Sequence, residues 1–268
     1  DSVQPFVVYR DAPLTVERVK WLQEQLKIAG YYTLIDGSYG PDCKAQLAAF
    51  CSQQLNREVE YFNSEIEQAL IDYNANRMAG DIDDYLVYAS KEINLRSTDV
   101  PSRLVDISVA HSANVEQIEA KTNDYLIKMF DAAKADGIAL RVVSGYRSFQ
   151  YQIGLFDRYM QRSGFAQANR YSALPGQSEH QTGYVVDVDD GTNRHTVKQS
   201  FDQTPAFQWL DAHAHEYGFI LSYPKGKEDI TGYMYEPWHY RFVGSPEVAG
   251  EIKRRDITLE QYVKQLKD

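Results

Sequence analysis

Pro175-Gly176-Gln177-Ser178-Glu179-His180-Gln181-Thr182-Gly183-Tyr184-Val185-Val186-Asp187 joins a Pro-Gly turn signal to an apolar run ending in Val185-Val186-Asp187-Val188. The run predicts a strand. His180 precedes it and Asp187 lies inside it, seven residues later. On one regular strand an odd separation points two side chains to opposite faces. Bringing them together needs a bend, and Gly183 offers one. A second stretch, Tyr235-Glu236-Pro237-Trp238-His239-Tyr240-Arg241-Phe242, sets another histidine three residues after a carboxylate, across a proline that ends any helix. Two imidazoles and one carboxylate make a three-ligand zinc site that leaves a fourth position for water. Glu236 would then be the free carboxylate that takes the water's proton. Read singly, each histidine is more often a buried ring satisfied by hydrogen bonds, and one His-x6-Asp spacing arises often by chance.

The whole set carries more. Ser178-Glu179-His180-Gln181-Thr182-Gly183 with Asp187, Glu236-Pro237-Trp238-His239 with Arg241, and upstream Ser144-Gly145-Tyr146-Arg147-Ser148 with Gln152 stand in one order along the chain. This set closely resembles the zinc D,D-carboxypeptidases of bacterial peptidoglycan, the family of the vancomycin-resistance carboxypeptidases and the related L,D-carboxypeptidases. The resemblance runs from about Asp84 to Gly244. Val185 and Tyr184 depart from the family's usual alanine and leucine without removing a ligand. The resemblance implies one zinc ion per chain on His180, Asp187 and His239, with Glu236 as general base. It gives Arg147 the substrate's terminal carboxylate or scissile carbonyl as partner, since a guanidinium can hold a carboxylate bidentately or steady an oxyanion. Ser178 and Gln152 are polar candidates for the same carboxylate, and Tyr146 and Trp238 are candidates for the substrate pocket. Without the family, Arg147 reads as a surface arginine paired with an acidic residue.

The expected reaction is removal of a C-terminal D-amino acid, D-Ala, from peptidoglycan stem peptides. An endopeptidase cutting inside the stem, and an inactive wall-binding protein on a zinc-stabilised scaffold, are the alternatives. A serine triad built on Ser178 lacks a Gly-x-Ser-x-Gly elbow and leaves the Glu-Pro-Trp-His element unused. His213 and His215 lie two apart on a predicted helix and point in different directions, while His111 and His195 read as loop histidines.

Toward the N-terminus, Thr15 is a plausible cap for a helix carrying Val19, Leu22, Gln23 and Leu26, stopped at Gly30. After the turn Asp36-Gly37-Ser38-Tyr39-Gly40, Pro41 opens a second helix with Cys43, Leu47 and Phe50 on one face. Gly30-Tyr31-Tyr32, Asp36-Gly37, Tyr39-Gly40-Pro41 and Phe50 resemble the small three-helix peptidoglycan-binding domain found beside cell-wall hydrolases. The resemblance implies glycan as a partner. These glycines and tyrosines also build turn and core, so the segment reads equally as a packing module. Cys43 and Cys51, eight residues apart on a helix, stand about 12 Å apart along its axis, beyond disulfide reach, and are expected to be free buried thiols.

The expected domains are 1–57 (peptidoglycan-binding-like), 58–83 (a helical connector with Ile66, Leu70, Ile71 and Tyr73 on a stripe) and 84–268 (zinc carboxypeptidase). Residues 1–13 read as an irregular lead-in. Helices are expected at Val115–Asp136, Gln150–Met160 and Phe207–Tyr217, and strands at Ile138–Val143, Phe219–Tyr223 and Tyr240–Val243. Few strands among separate helices predict an α+β domain on a small, mainly antiparallel sheet with flanking helices.

A net charge of −10 over 268 residues argues against a nucleic-acid partner, and no apolar run reaches the roughly 20 residues of a membrane span. The chain opens on Asp1, and an extracytoplasmic or periplasmic site of action with the signal sequence removed is the expectation. The oligomeric state is left open.

Overall fold

The computed structural model describes residues 14–58, 61–113 and 117–267. The lead-in at 1–13 and the expected helix start at Val115 lie outside the described residues. Two compact units are present: Asp1–Met78 with Glu92–Asn94, and Ala79–Lys91 with Leu95–Asp268.

The first unit is helical. Thr15 caps α1 (Val16–Ile28) by accepting from the Arg18 amide, and Pro41 opens α2 (Pro41–Leu55). The segment expected as a connector contributes α3 (Ser64–Asn74), capped by Asn63. Phe62, Ile66 and Leu70 from this segment bury with Leu22, Leu26, Leu47 and Phe50 in one core. The α1–α2 turn is held by Gln23: its amide donates to Asp36 and to the Ser38 carbonyl, and its oxygen accepts from the Gly37 amide at 2.8 Å. Gly37 is required there, because its φ is +79° and an added Cβ would lie 2.6 Å from Val16 Cγ1. Cys43 and Cys51 are free and buried.

The second unit is α+β. A two-stranded ribbon pairs β1 (Leu104–Asp106) with β2 (Gln117–Glu119), and the chain enters α4 (Ala120–Ala135) directly from β2. Ile118, expected within a helix, is therefore a strand residue. Glu119 is the helix cap, accepting from the amides of Lys121 and Thr122. Next come β3 (Arg141–Ser144), α5 (Phe149–Ser163), α6 (Phe165–Tyr171) and β4 (Val185–Asp189). After these follow α7 (Pro205–His213), β5 (Phe219–Leu221), α8 (Glu228–Thr231), β6 (His239–Phe242), α9 (Pro246–Arg254) and α10 (Leu259–Gln265). The main sheet has order β3-β4-β6-β5 and is antiparallel throughout. Strand β4 is buried along its whole length, and α4 buries Leu126, Met129, Phe130 and Ala133. Burial of this kind stabilises by roughly 1.5–3 kcal/mol for each large side chain. A second apolar cluster joins Ile220 and Val243 of the sheet end to Ala249, Ile252, Leu259 and Tyr262 of α9 and α10. No described helix is long and apolar enough to cross a membrane.

Candidate metal centre and cleft

Two central strands build the site. Asp187 on β4 stands directly opposite His239 on β6, and directly opposed residues of an antiparallel pair share one face. His180 reaches them from a short 3-10 turn, Glu179–Thr182, that ends at Gly183 with φ +72°. That positive φ is the bend the odd His180–Asp187 spacing requires. An added Cβ at Gly183 would lie 3.1 Å from Pro101 and 3.3 Å from Leu104, so both conformation and space favour glycine. The turn is pinned to the segment after β3 by a bond from the Arg147 amide to the His180 carbonyl.

His180, Asp187 and His239 are all buried, and one donor atom from each lies within 4.8 Å of the others. Among the described residues this is the one such group of histidine, cysteine and carboxylate side chains. His180 Nδ1 donates to the Gly145 carbonyl at 2.7 Å, which places its proton there. Burial and the charge of Arg147 pull the His180 imidazole below its ordinary value, against the opposing pull of Asp187. With Nδ1 used on the Gly145 carbonyl, Nε2 is the ring atom turned toward Asp187, 3.3 Å from its Oδ2. His239 turns Nδ1 toward Asp187 Oδ1 at 3.2 Å and Glu236 Oε2 at 3.4 Å. Its Nε2 lies 3.0 Å from Glu179 Oε2. Asp187 Oδ1 is buried without a hydrogen bond. The donor set of two imidazole nitrogens and one carboxylate fits zinc better than calcium or magnesium, which prefer all-oxygen shells.

The local field also favours a cation. Asp187 stays well below the usual carboxylate range despite its burial, because His180 and His239 favour its charged form. Burial alone would pull the His239 imidazole down, yet Asp187, Glu179 and Glu236 hold positive charge there and raise it to about 10. Burial pushes the Glu236 carboxyl up to about 7, where a carboxylate can both take and return a proton near neutral pH.

These groups line a cleft of about 950 Å³ with Tyr146, Arg147, Ser178, Tyr223 and Trp238. Arg147 donates from Nε to Ser144 Oγ at 3.0 Å and from Nη2 to Asp187 Oδ2 at 3.1 Å. Its guanidinium is therefore tied to a candidate ligand as well as open to the cleft. Gln152 is buried behind the cleft wall, and its amide nitrogen donates at 2.8 Å to the carbonyl of Ala173, a cleft-lining residue in the segment after α6. Sequence reasoning missed Glu179 and the way Arg241 meets it. A buried ion pair leaves no periodicity to read. His213 and His195 are half-buried and lie 3.3 Å from Glu216 and 3.0 Å from Ser200, outside the metal-site group.

Comparison with known proteins agrees with this geometry. YodJ of Bacillus subtilis (strain 168), a protein assigned as a carboxypeptidase, is 40% identical over 186 residues, which is 68% of each chain. The model of the VanY, D-alanyl-D-alanine carboxypeptidase, family matches residues 115–245. The chain belongs to the VanY-type D-alanyl-D-alanine carboxypeptidase family. A peptidoglycan binding domain model matches residues 15–57, inside the helical unit. Among solved structures, the LdcB LD-carboxypeptidase superposes with a TM-score of 0.64 at 38% identity, covering 70% of this chain and 89% of its own. The vancomycin resistance D,D-pentapeptidase VanY, solved with Zn(II), superposes with a TM-score of 0.54 at 32% identity, covering 67% of this chain and 98% of its own. The family places the chain among carboxypeptidases on an α+β fold with a small antiparallel sheet.

Proposed function

We propose that the chain is a zinc peptidase that removes a C-terminal D-amino acid from peptidoglycan stem peptides. The observation that carries this reading is the convergence of His180 Nε2, Asp187 and His239 Nδ1 with Glu236 beside them. His180, Asp187 and His239 would hold one zinc ion per chain. Held by these residues, a zinc ion would supply Lewis acidity for the scissile carbonyl and lower the pKa of a water to about 7. Glu236 accepts that water's proton and returns it to the leaving amine, a relay suited to a carboxyl raised to about 7. Arg147, held by Ser144 and Asp187, presents a fixed positive charge to the terminal carboxylate or the developing oxyanion. Tyr146, Ser178 and Trp238 supply the surrounding wall. VanY and LdcB, the solved relatives, are named for D,D- and LD-activities, so both pentapeptide and tetrapeptide stems are substrates to test.

The helical unit would hold the enzyme on its polymeric substrate, with residues 1–57 as the core of that module and 84–268 as the catalytic part. Action would then be extracytoplasmic, at the cell wall. The deciding experiment incubates zinc-loaded protein with both stems and weighs the products. Loss of a single terminal residue supports this reading, and internal cleavage makes the chain an endopeptidase. No cleavage of either stem with zinc bound would overturn the peptidase reading.

A further inference from the structure

We propose that Glu179 is a positioning residue for His239: a carboxylate balanced by Arg241 that fixes the imidazole's tautomer and aims Nδ1 at the metal. The inference rests on the reading that His239 holds zinc.

The two metal-site histidines are oriented differently. His180 gives its outer N–H to a neutral backbone carbonyl, that of Gly145. His239 gives its own to a buried carboxylate at 3.0 Å. A carboxylate on the far ring nitrogen both locks the tautomer and makes the ligating nitrogen a stronger donor than a carbonyl would. Such a carboxylate must itself be charge-balanced and hydrogen-bonded, because removing it from water is costly otherwise. Glu179 meets both needs. Oε2 accepts from His239, and Oε1 accepts from Arg241 Nη1 at 3.3 Å.

Arg241 is a rigid partner, fully buried. Its Nη2 donates to the carbonyls of Tyr85 and Val87 at 3.0 and 2.7 Å, and its Nε to the carbonyl of Phe242 at 2.9 Å. The Tyr184 ring lies 5.1 Å from the guanidinium carbon. The placement in sequence completes the argument. Glu179 immediately precedes His180 on the turn, and Arg241 follows His239 by two residues, on the same face of β6. One buried pair therefore ties the turn carrying the first histidine to the strand carrying the second. A purely structural ion pair would need only Arg241, and the bond to His239 would have no consequence for metal affinity.

The test uses the full chain with histidine ring nitrogens labelled with 15N. In the wild type, zinc addition should shift His239 Nδ1 and leave a slowly exchanging proton on Nε2, while His180 shows the opposite assignment. A His239 proton on Nδ1 in the zinc-bound protein overturns the proposal without any variant. Glu179→Gln, compared with wild type by competition with a chromophoric chelator, should weaken zinc binding by about 10–100-fold. It should also move the His239 N–H resonance while leaving that of His180. Wild-type zinc affinity in Glu179→Gln, even with a lowered melting temperature, makes the pair merely structural and overturns the proposal. His239→Ala separates the two readings. If it keeps zinc, the ligand assignment itself fails. If it loses zinc while Glu179→Gln binds normally, only the positioning role fails.

Discussion

Glu236 and His239 sit one turn apart on the same short segment, with a bond from the His239 amide to the Glu236 carbonyl closing the turn. That closeness makes two roles for Glu236 conceivable, proton carrier or support for the metal, and substitution separates them. Glu236→Gln keeps the shape but cannot accept a proton, so zinc content should hold while turnover falls by about 10²–10⁴-fold. Zinc content and cleavage rate on one preparation decide it, since zinc lost along with activity would move Glu236 into the support of the metal. His180→Ala and His239→Ala should instead sharply reduce zinc content, and full occupancy in both would refute the ligand set. In metal-free protein Glu236 carries a stability signature as well. Its carboxyl is raised from 4.5 to about 7, so the folded state keeps a proton that the unfolded chain releases in between. The group's contribution is fully present below pH 4.5 and is lost as pH rises through about 7. Glu236→Gln should therefore gain stability relative to wild type across that window, by at most about 3 kcal/mol. Denaturant melts at pH 5 and pH 8 measure it. The opposing titration of His180 is common to both proteins, whereas glutamine also removes one carboxylate that raises His239, so the difference reads the coupled Glu236–His239 pair, and a pH-independent difference would contradict the argument.

At the scale of elements, the site depends on a register and a bend. The Asp187–His239 pairing across β4 and β6 sets one pair of candidate ligands, and the bend at Gly183 places the third, His180. Gly183→Ala forces a left-handed φ on alanine and presses its Cβ toward Pro101 and Leu104. A cost of about 1–3 kcal/mol is expected, with weaker zinc binding because the His180 turn shifts. An unchanged denaturation midpoint and zinc affinity would show that the bend is dispensable. The bend and the strand after it were legible because glycine, the Pro-Gly turn and the Val185-Val186 run are all local signals. Capping was legible for the same reason, as Thr15 and Pro41 show. Strand β2 was not legible. Three residues, Gln117–Glu119, are too short to show a period of two, and Ile118 falls in step with the apolar stripe of α4, so the helix pattern absorbed it. The burial of Gln152 was not legible for a related reason: its neighbourhood carries the family pattern, but only the fold brings the Ala173 carbonyl to its amide. Glu179 reads as a polar residue beside a ligand until the fold brings Arg241 to it from 62 residues away.

The whole molecule joins a helical unit to a peptidase unit, and the sequence separates them only in part. The match to a peptidoglycan binding domain ends at residue 57, whereas Phe62, Ile66 and Leu70 complete the helical core beyond it. A fragment ending at Leu55 would therefore expose the Leu47 and Phe50 surface that α3 covers, so a helical fragment must run to Met78, where the unit's main segment ends, its Glu92–Asn94 piece staying with the other fragment. With a net charge of −10 the chain has no general attraction for an anionic polymer, so retention on the wall must come from specific contacts. If the helical unit provides them, residues 1–78 should pellet with purified sacculi and residues 79–268 should pellet less. Tethering raises the local substrate concentration without touching the chemistry. The full chain and the 79–268 fragment should thus cleave a soluble stem peptide at similar rates. On sacculi at limiting enzyme the fragment should fall behind, by up to about 10²-fold. Sedimentation and product release measured on the same sacculi separate the outcomes. Equal pelleting with equal rates would reduce the helical unit to a packing module, while loss of activity on the soluble peptide would show that the peptidase unit needs it to fold.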